Sequence, residues 1–222
     1  MVSVNASTAK NKRDPQAAKE RILQAALAEF SEKGLGGARV DHIAARAGAN
    51  KRMLYHYFGN KDDLFLAVLE FAYSEIRNAE LELNLDDLSP EEGMRRLVAF
   101  TFDYFIKAPY FINLLNSENL HQARHVRRSQ AIVDMHGPVI GLITDVLNRG
   151  VAEGGFRSDA DPVQVFITNA SVAYFYFSNI YTLSTIIDRD LASEEELAAR
   201  RRHVIDVVMG YLRPLDPAEL LL

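Results

Sequence analysis

Apolar positions recur at the three- and four-residue intervals of α-helices along almost the whole chain. In the first third, this pattern predicts a helix from Asp14-Pro15 to Gly34, two short helices near 40–47 and 51–57, and a long helix from Lys61. Alternating strand patterns and hairpin dipeptides are scarce. The expected fold is therefore all-α, with about nine helices.

Capping residues mark further helices in the remaining two thirds of the chain. Pro90 is expected to open one helix, and Gly137-Pro138 either kinks a long helix or separates two. Asp161-Pro162 and Ser193 are typical N-terminal caps. They predict two final helices, near 162–187 and 194–212.

Composition narrows the class of protein. The 222 residues include no cysteine, which excludes disulfides, thiolate metal sites and a catalytic thiol. No apolar run is long enough to predict a membrane span, and the N-terminus lacks a signal-peptide pattern, so we expect a cytoplasmic protein without membrane partners. The net charge is -5, but residues 1–65 carry +4 and residues 66–222 carry -9. A basic head on an acidic body indicates either a polyanion-binding head or a solvated basic face.

The two short helices and the glycine between them form a helix-turn-helix pattern. The second helix begins with side chains that can donate hydrogen bonds in a DNA major groove, and further donors follow at its end. A helical corner that never touches DNA is the alternative interpretation of this spacing. The donors and their neighbours on this segment are Asn50, Lys51, Arg52, Met53, Tyr55, His56, Tyr57 and Lys61.

The segment IAARAGANKRMLYHYFGNKDDL, residues 43–64, resembles the signature of the tetracycline-repressor (TetR) family of bacterial transcriptional regulators. The resemblance implies a DNA-binding head over 15–62 after a disordered basic arm at 1–14, and a ligand-binding and dimerisation domain over 63–222. It implies a homodimer formed through the last two long helices. The expected function is a repressor that binds a palindromic operator and is released by a small molecule.

Some positions depart from the family pattern. Arg39 stands where the family usually has Thr or Ser, so a charged contact to phosphate replaces a neutral one. Asp41 lies where the family often places a groove-facing residue, and its carboxylate can accept from a cytosine amino group. These departures affect the operator sequence that the protein selects.

Aromatic and amide side chains on the body helices predict a largely apolar pocket with a few neutral polar groups. Its expected occupant is a small apolar or aromatic effector of unknown identity, and no cofactor is expected. An acidic ligand at Arg124, Arg127 and Arg128 is the rival hypothesis. The candidate ligand-binding residues are Phe102, Phe105, Phe111, Asn113, Asn116, Asn169, Tyr174, Phe177 and Tyr181.

Two other classes of function are weaker hypotheses. A metal-dependent hydrolase would use the carboxylate and imidazoles of Glu118, His121, His125 and His136. Arginines around that cluster oppose cation binding, so we expect no metal. The sequence also lacks phosphate-loop, nucleophile-elbow and zinc-protease motifs, so we expect no enzyme. A helical protein-interaction adaptor would require a neutral face at residues 50–61, and that face is basic.

Overall fold

A computed structural model of the chain describes residues 15–214. The predicted basic arm at 1–14 lies outside the described residues, as does the segment 215–222. Over the described range there are eleven α-helices, two 3-10 turns and no strand, so the all-α prediction is confirmed. The chain divides into two compact units between Val68 and Leu69.

The first unit is a small helical domain. Its helices are α1 (Pro15–Gly37), α2 (Val40–Arg46), α3 (Lys51–Phe58) and the first turns of α4 (Lys61–Leu81). The rings of Phe30 and Phe65 pack edge to face, with centroids 5.0 Å apart. The side chains that form the centre of this core are fully buried: Ile22, Phe30, Ile43, Leu54, Leu64 and Phe65.

Gly34 interrupts α1 instead of ending it, in contrast to the prediction. Its φ of 63° and ψ of 176° lie outside the helical region, and helical hydrogen bonding resumes as far as Gly37. Only glycine adopts this backbone conformation without a steric penalty from a Cβ atom. The chain therefore changes direction within α1, immediately before the loop that leads to α2.

The second unit contains the rest of α4 and seven further helices. The central helix α5 packs against α8, α9 and α11. Its capping residue Ser89 accepts a hydrogen bond from the backbone N–H of Glu92, as expected for a helix that Pro90 opens. The helices are α5 (Pro90–Lys107), α6 (Pro109–Leu120), α7 (Gln130–Asp134), α8 (His136–Ala152), α9 (Pro162–Ser178), α10 (Ile180–Ile187) and α11 (Glu194–Leu212).

Two breaks raise the number of helices above nine. The helix predicted over 162–187 is wrong as a single element, because it divides at Asn179 into α9 and α10. The carbonyl of Phe175 accepts both the backbone N–H of Asn179 at 3.2 Å and its side-chain amide at 2.9 Å. The second break places α7 before α8, so Gly137-Pro138 lies in the first turn of a separate helix.

Candidate nucleic-acid interface and ligand cavity

The sequence of α3 fixes its two ends and its buried side. Asn50 accepts a hydrogen bond from the backbone N–H of Met53 at 2.9 Å, which caps the N-terminus as predicted. Gly59 ends the helix with a φ of 84°. Leu54 is fully buried and anchors α3 in the core of the first unit. The helix is therefore held from one side, and its other side is left to solvent.

The solvent-facing side of α3 carries the donors that the sequence singled out. Arg52, Tyr55 and His56 are exposed, whereas Met53 and Tyr57 are half-buried. Lys61 is half-buried in the first turn of α4, where the helix dipole favours an anion. An exposed short helix with hydroxyl, imidazole and guanidinium donors has the shape and chemistry that major-groove binding requires.

Lys51 is engaged by a carboxylate within the same unit. Its amino group forms an ion pair with Asp41 of α2, and both side chains are about half exposed. Lys51 and Asp41, both predicted to contact DNA, therefore neutralise each other in the free protein. Arg52 is exposed, and within residues 15–214 no carboxylate forms an ion pair with its guanidinium.

Arg39 precedes α2, where its side chain is exposed. Its backbone N–H donates to Oε1 of Glu29 at 3.1 Å. The same oxygen lies 3.2 Å from Nδ1 of His42. Because Glu29 is buried, this carboxylate ties α1 to the start of α2 and leaves the Arg39 guanidinium at the surface.

The second unit contains a cavity of about 280 Å³ lined by aromatic, aliphatic and polar side chains. It lies among α4, α5, α6, α8 and α9. A cavity of this size and composition suits a small molecule with an aromatic or apolar body. Its aromatic lining residues are Tyr73, Phe105, Phe111, His136, Phe166 and Tyr174.

The predicted ligand residues divide between this cavity and its surroundings. Phe102 is buried beside Phe177, with ring centroids 4.9 Å apart. Asn116 accepts hydrogen bonds from the hydroxyls of Tyr174 and Ser178 and positions the Tyr174 ring. The predicted residues that line the cavity itself are Phe105, Phe111, Asn169 and Tyr174.

The other predicted residues border a second cavity of about 250 Å³. Asn113, Phe177 and Tyr181 line it together with residues of α10 and the segment before α11. Tyr181 is 85% exposed. The second cavity is therefore open to solvent at Tyr181.

Arg77 and Glu80 are two cavity residues that the sequence analysis missed. Both lie on α4 and both are buried, at 7% and 3% exposure. Arg77 Nη1 lies 2.7 Å from Glu80 Oε2. Burial lowers the pKa of Arg77, and burial raises the pKa of Glu80 to about 7 although Arg77 opposes that shift. Spacing places residues 73, 76, 77 and 80 on one face of a helix, but it does not distinguish a buried face from an exposed one.

The polar atoms of the cavity have defined roles. Asn169 Nδ2 donates to Thr101 Oγ1 at 2.9 Å, and that hydroxyl donates to the carbonyl of Leu97 at 3.1 Å. This chain fixes the orientation of the Asn169 amide and leaves its Oδ1 without a hydrogen-bond partner. His136 Nδ1 donates to the carbonyl of Ile132 at 2.8 Å, and burial lowers the pKa of His136. The neutral ring therefore presents Nε2 as an acceptor.

The Glu118 cluster is a structural support for a turn. Glu118 is buried and accepts from Nδ1 of His125 at 2.6 Å. Its other carboxylate oxygen accepts from the backbone N–H groups of His125 and Val126 at 2.8 and 3.0 Å. Gln122 and Ala123, within this turn, have φ values of 56° and 58°.

The metal-hydrolase hypothesis is not supported by this arrangement. Arg124 Nε donates to His125 Nε2 at 3.3 Å, so protein groups engage both ring nitrogens of His125. His136 lines the cavity, and within residues 15–214 no three histidine or acidic side chains form a metal-binding group. Among the helices in this range, none is long and apolar enough to cross a membrane.

Family models match both units of the chain. Residues 22–68 match the model for bacterial regulatory proteins of the tetR family, and residues 90–208 match the tetracyclin repressor-like C-terminal domain. Together, the two matches cover the helix-turn-helix and most of the helices around the cavity.

Individual relatives agree with these matches. The HTH-type transcriptional repressor NicS of Pseudomonas putida is 39% identical over 195 residues, which cover 88% of this chain and 92% of NicS. The HTH-type transcriptional repressor SCO4008 of Streptomyces coelicolor is 36% identical over 147 residues, or 61% and 72% of the two chains. The crystal structure of the regulator FadR from Bacillus subtilis in complex with stearoyl-CoA has a TM-score of 0.66. At 18% identity over 87% of this chain and 99% of FadR, this likeness concerns the fold.

Proposed function

Because the chain belongs to the TetR family of bacterial transcriptional regulators, we propose that it is a repressor that a small molecule releases from a palindromic DNA operator. The observation that carries this proposal is the capped, exposed α3 in a unit that matches the family's DNA-binding domain. NicS and SCO4008 are both named as repressors, which favours repression over activation. The protein acts by binding and is not an enzyme.

In this proposal α3 enters the major groove of one operator half-site. Arg52 reads a base edge, because a guanidinium can donate two hydrogen bonds to guanine. Tyr55 and Lys61 bind phosphates on either side of the groove and fix the helix in position. These roles follow from the exposed position of Arg52 and Tyr55 on α3 and from the place of Lys61 in the first turn of α4.

We propose a homodimer, formed through α9 and α11 of two copies. Val163, Ile167 and Phe175 are exposed apolar residues at multiples of four positions along α9. Val207 and Tyr211 continue an exposed apolar face on α11, which packs beside α9. A two-fold axis through this surface would bury it in a four-helix bundle.

The effector is proposed to bind in the cavity of the second unit. Helix α4 begins with the predicted phosphate contact Lys61 and supplies cavity residues from Tyr73 to Glu80. We expect occupancy of the cavity to change the population of dimers whose two α3 helices match grooves about 34–36 Å apart. For this the ligand must have different affinities for dimers whose α3 helices match the groove spacing and for dimers whose α3 helices do not.

Selection of DNA from a random library, followed by a salt titration, tests the proposal. We expect the full-length protein to enrich a palindrome, and its affinity for that DNA to fall steeply with salt. Fluorescence anisotropy measures both the slope and the stoichiometry. Recovery of no palindrome together with a salt slope near zero would favour the adaptor hypothesis instead.

A further inference from the structure

The cavity lining includes the charged residues Arg77 and Glu80 beside aromatic, aliphatic and neutral polar side chains. The Arg77 guanidinium is more than nine-tenths buried and lines the cavity. Its Nε and Nη1 atoms have no hydrogen-bond partner. Buried guanidinium donors are normally satisfied, because leaving them unpaired is unfavourable by the free energy of a lost charged hydrogen bond. A guanidinium with unpaired donors therefore forms part of the cavity wall.

Glu80 meets this requirement only in part. Its Oε2 lies 2.7 Å from Arg77 Nη1, but the two groups are not aligned for a hydrogen bond, and Oε2 also lacks a hydrogen-bond partner. Burial raises the pKa of Glu80 to about 7, so near neutral pH its carboxyl group is protonated for part of the time. The positive charge of Arg77 is thus incompletely neutralised.

The guanidinium is held in place before any ligand arrives. Its central carbon lies 5.5 Å from the centroid of the Phe166 ring, within the range of a cation–π contact. The rings of Tyr73 and Phe111 pack edge to face near it, with centroids 5.4 Å apart. A flat molecule can lie among these rings with one end at the guanidinium.

We propose that the effector is a small aromatic acid whose carboxylate binds Arg77 while its ring lies among the aromatic walls of the cavity. The inference rests on the proposed function only in taking this cavity as the effector site. Guanidinium and carboxylate match in charge, because a guanidinium N–H can donate a charge-assisted hydrogen bond to a carboxylate oxygen. In the free protein, the Glu80 carboxylate occupies Arg77. An incoming acid must therefore compete with Glu80 for the guanidinium.

The hypothesis of a purely structural Arg77–Glu80 pair makes the opposite prediction for Glu80. In a structural pair, loss of either partner leaves the other buried and unpaired, so both variants lose stability and ligand binding together. In an acid site, loss of the Glu80 carboxylate frees Arg77 and strengthens acid binding. The two variants Arg77→Gln and Glu80→Gln therefore separate the interpretations.

Calorimetric titration of the full-length protein with benzoate and its neutral isostere benzamide tests the proposal. We expect benzoate to bind about tenfold or more tightly than benzamide, as a charge-assisted hydrogen bond provides. Arg77→Gln should abolish this preference, whereas Glu80→Gln should strengthen benzoate binding several-fold. Acetate, which lacks the ring, should bind far more weakly than benzoate.

Arg127→Gln is the matched control, because Arg127 is exposed and lies outside the cavity lining. It should leave all affinities unchanged. Equal binding of benzoate and benzamide, binding of neither, or unchanged preference in Arg77→Gln would overturn the proposal. Operator affinity, measured in the same samples, tests the repressor function separately from the acid site. A protein that benzamide alone released from the operator would still be a ligand-released repressor, but the acid site would be excluded.

Discussion

Arg52 and Lys61 are single residues with different predicted roles at the DNA. Lys61→Ala should weaken binding about equally for all sequences and lower the salt slope by about one, because it removes one phosphate contact. Arg52→Ala should relax preference at one base position, with a loss of about 1–3 kcal/mol there. Competition titrations with operator variants measure both effects. A change of base preference in Lys61→Ala alone would reverse the assignment.

Glu118 shows how one buried carboxylate can organise a turn. It accepts from the His125 imidazole and from two backbone N–H groups, so Glu118→Ala removes the acceptor of two buried donors and one half-buried donor. We expect a loss of about 3 kcal/mol in the free energy of unfolding. Urea unfolding measures it, and Glu153→Ala, at an exposed position, is the control with little expected change. If zinc stabilised the natural protein and this effect were lost in Glu118→Ala, the structural role would be contradicted.

Two glycines of α8 provide a comparison at the scale of one element. An added Cβ at Gly150 would lie 2.0 Å from Cδ2 of Phe156, whereas Gly141 has nothing within 4 Å. Gly150→Ala should lower the free energy of unfolding by about 1–3 kcal/mol through overpacking. Gly141→Ala should raise it by about 0.5–1 kcal/mol, because alanine favours the helix. If urea unfolding showed that the two variants changed the free energy of unfolding by the same amount, the close approach of Phe156 to Gly150 would not be what makes a side chain at position 150 unfavourable.

Helix boundaries differ in how far sequence determines them. The caps at Asp161 and Ser193 were predictable, because a short polar side chain before a helix satisfies backbone N–H groups locally. The break at Asn179 was not, since the apolar spacing of 162–187 is the same for one helix as for two. At this position the backbone of Asn179 leaves the helical conformation, with a φ of -118° and a ψ of 10°.

The same distinction applies to the cavity. Aromatic spacing on α5, α6 and α9 directed attention to residues such as Phe105 and Tyr174, which do line it. Arg77 and Glu80 have the spacing of an ordinary surface ion pair. Their burial is decided by which helices surround α4 in the second unit, and no local pattern contains that information.

At the scale of the whole molecule, the dimer depends on the exposed face of α9. Ala170 lies on α9 but lines the cavity, so a substitution there would perturb ligand binding as well. Phe175 is 59% exposed, and Phe175→Glu should give a monomer with much weaker operator binding, because one DNA-binding unit makes half the contacts. Sedimentation velocity and anisotropy measure the two effects.

Leu120→Glu is the control for this prediction. Leu120 is 84% exposed at the end of α6, outside the proposed interface, so the variant should remain dimeric and bind DNA as before. A Phe175→Glu protein that sedimented as a dimer, or a monomer with full operator affinity, would place the interface or the need for it elsewhere.

The ion pair between Lys51 and Asp41 has a consequence for how a few copies of a regulator locate one site on a chromosome. Random DNA attracts a basic protein surface through its phosphates alone, and millions of such stretches compete with the operator. Because Asp41 forms an ion pair with Lys51, one cation fewer is available for non-specific phosphate contacts. The residence time on each non-specific stretch of DNA is therefore shorter. Asp41→Asn should therefore strengthen binding to random DNA and steepen its salt slope by about one. Its search for the operator would be slower, although the variant would bind DNA more tightly.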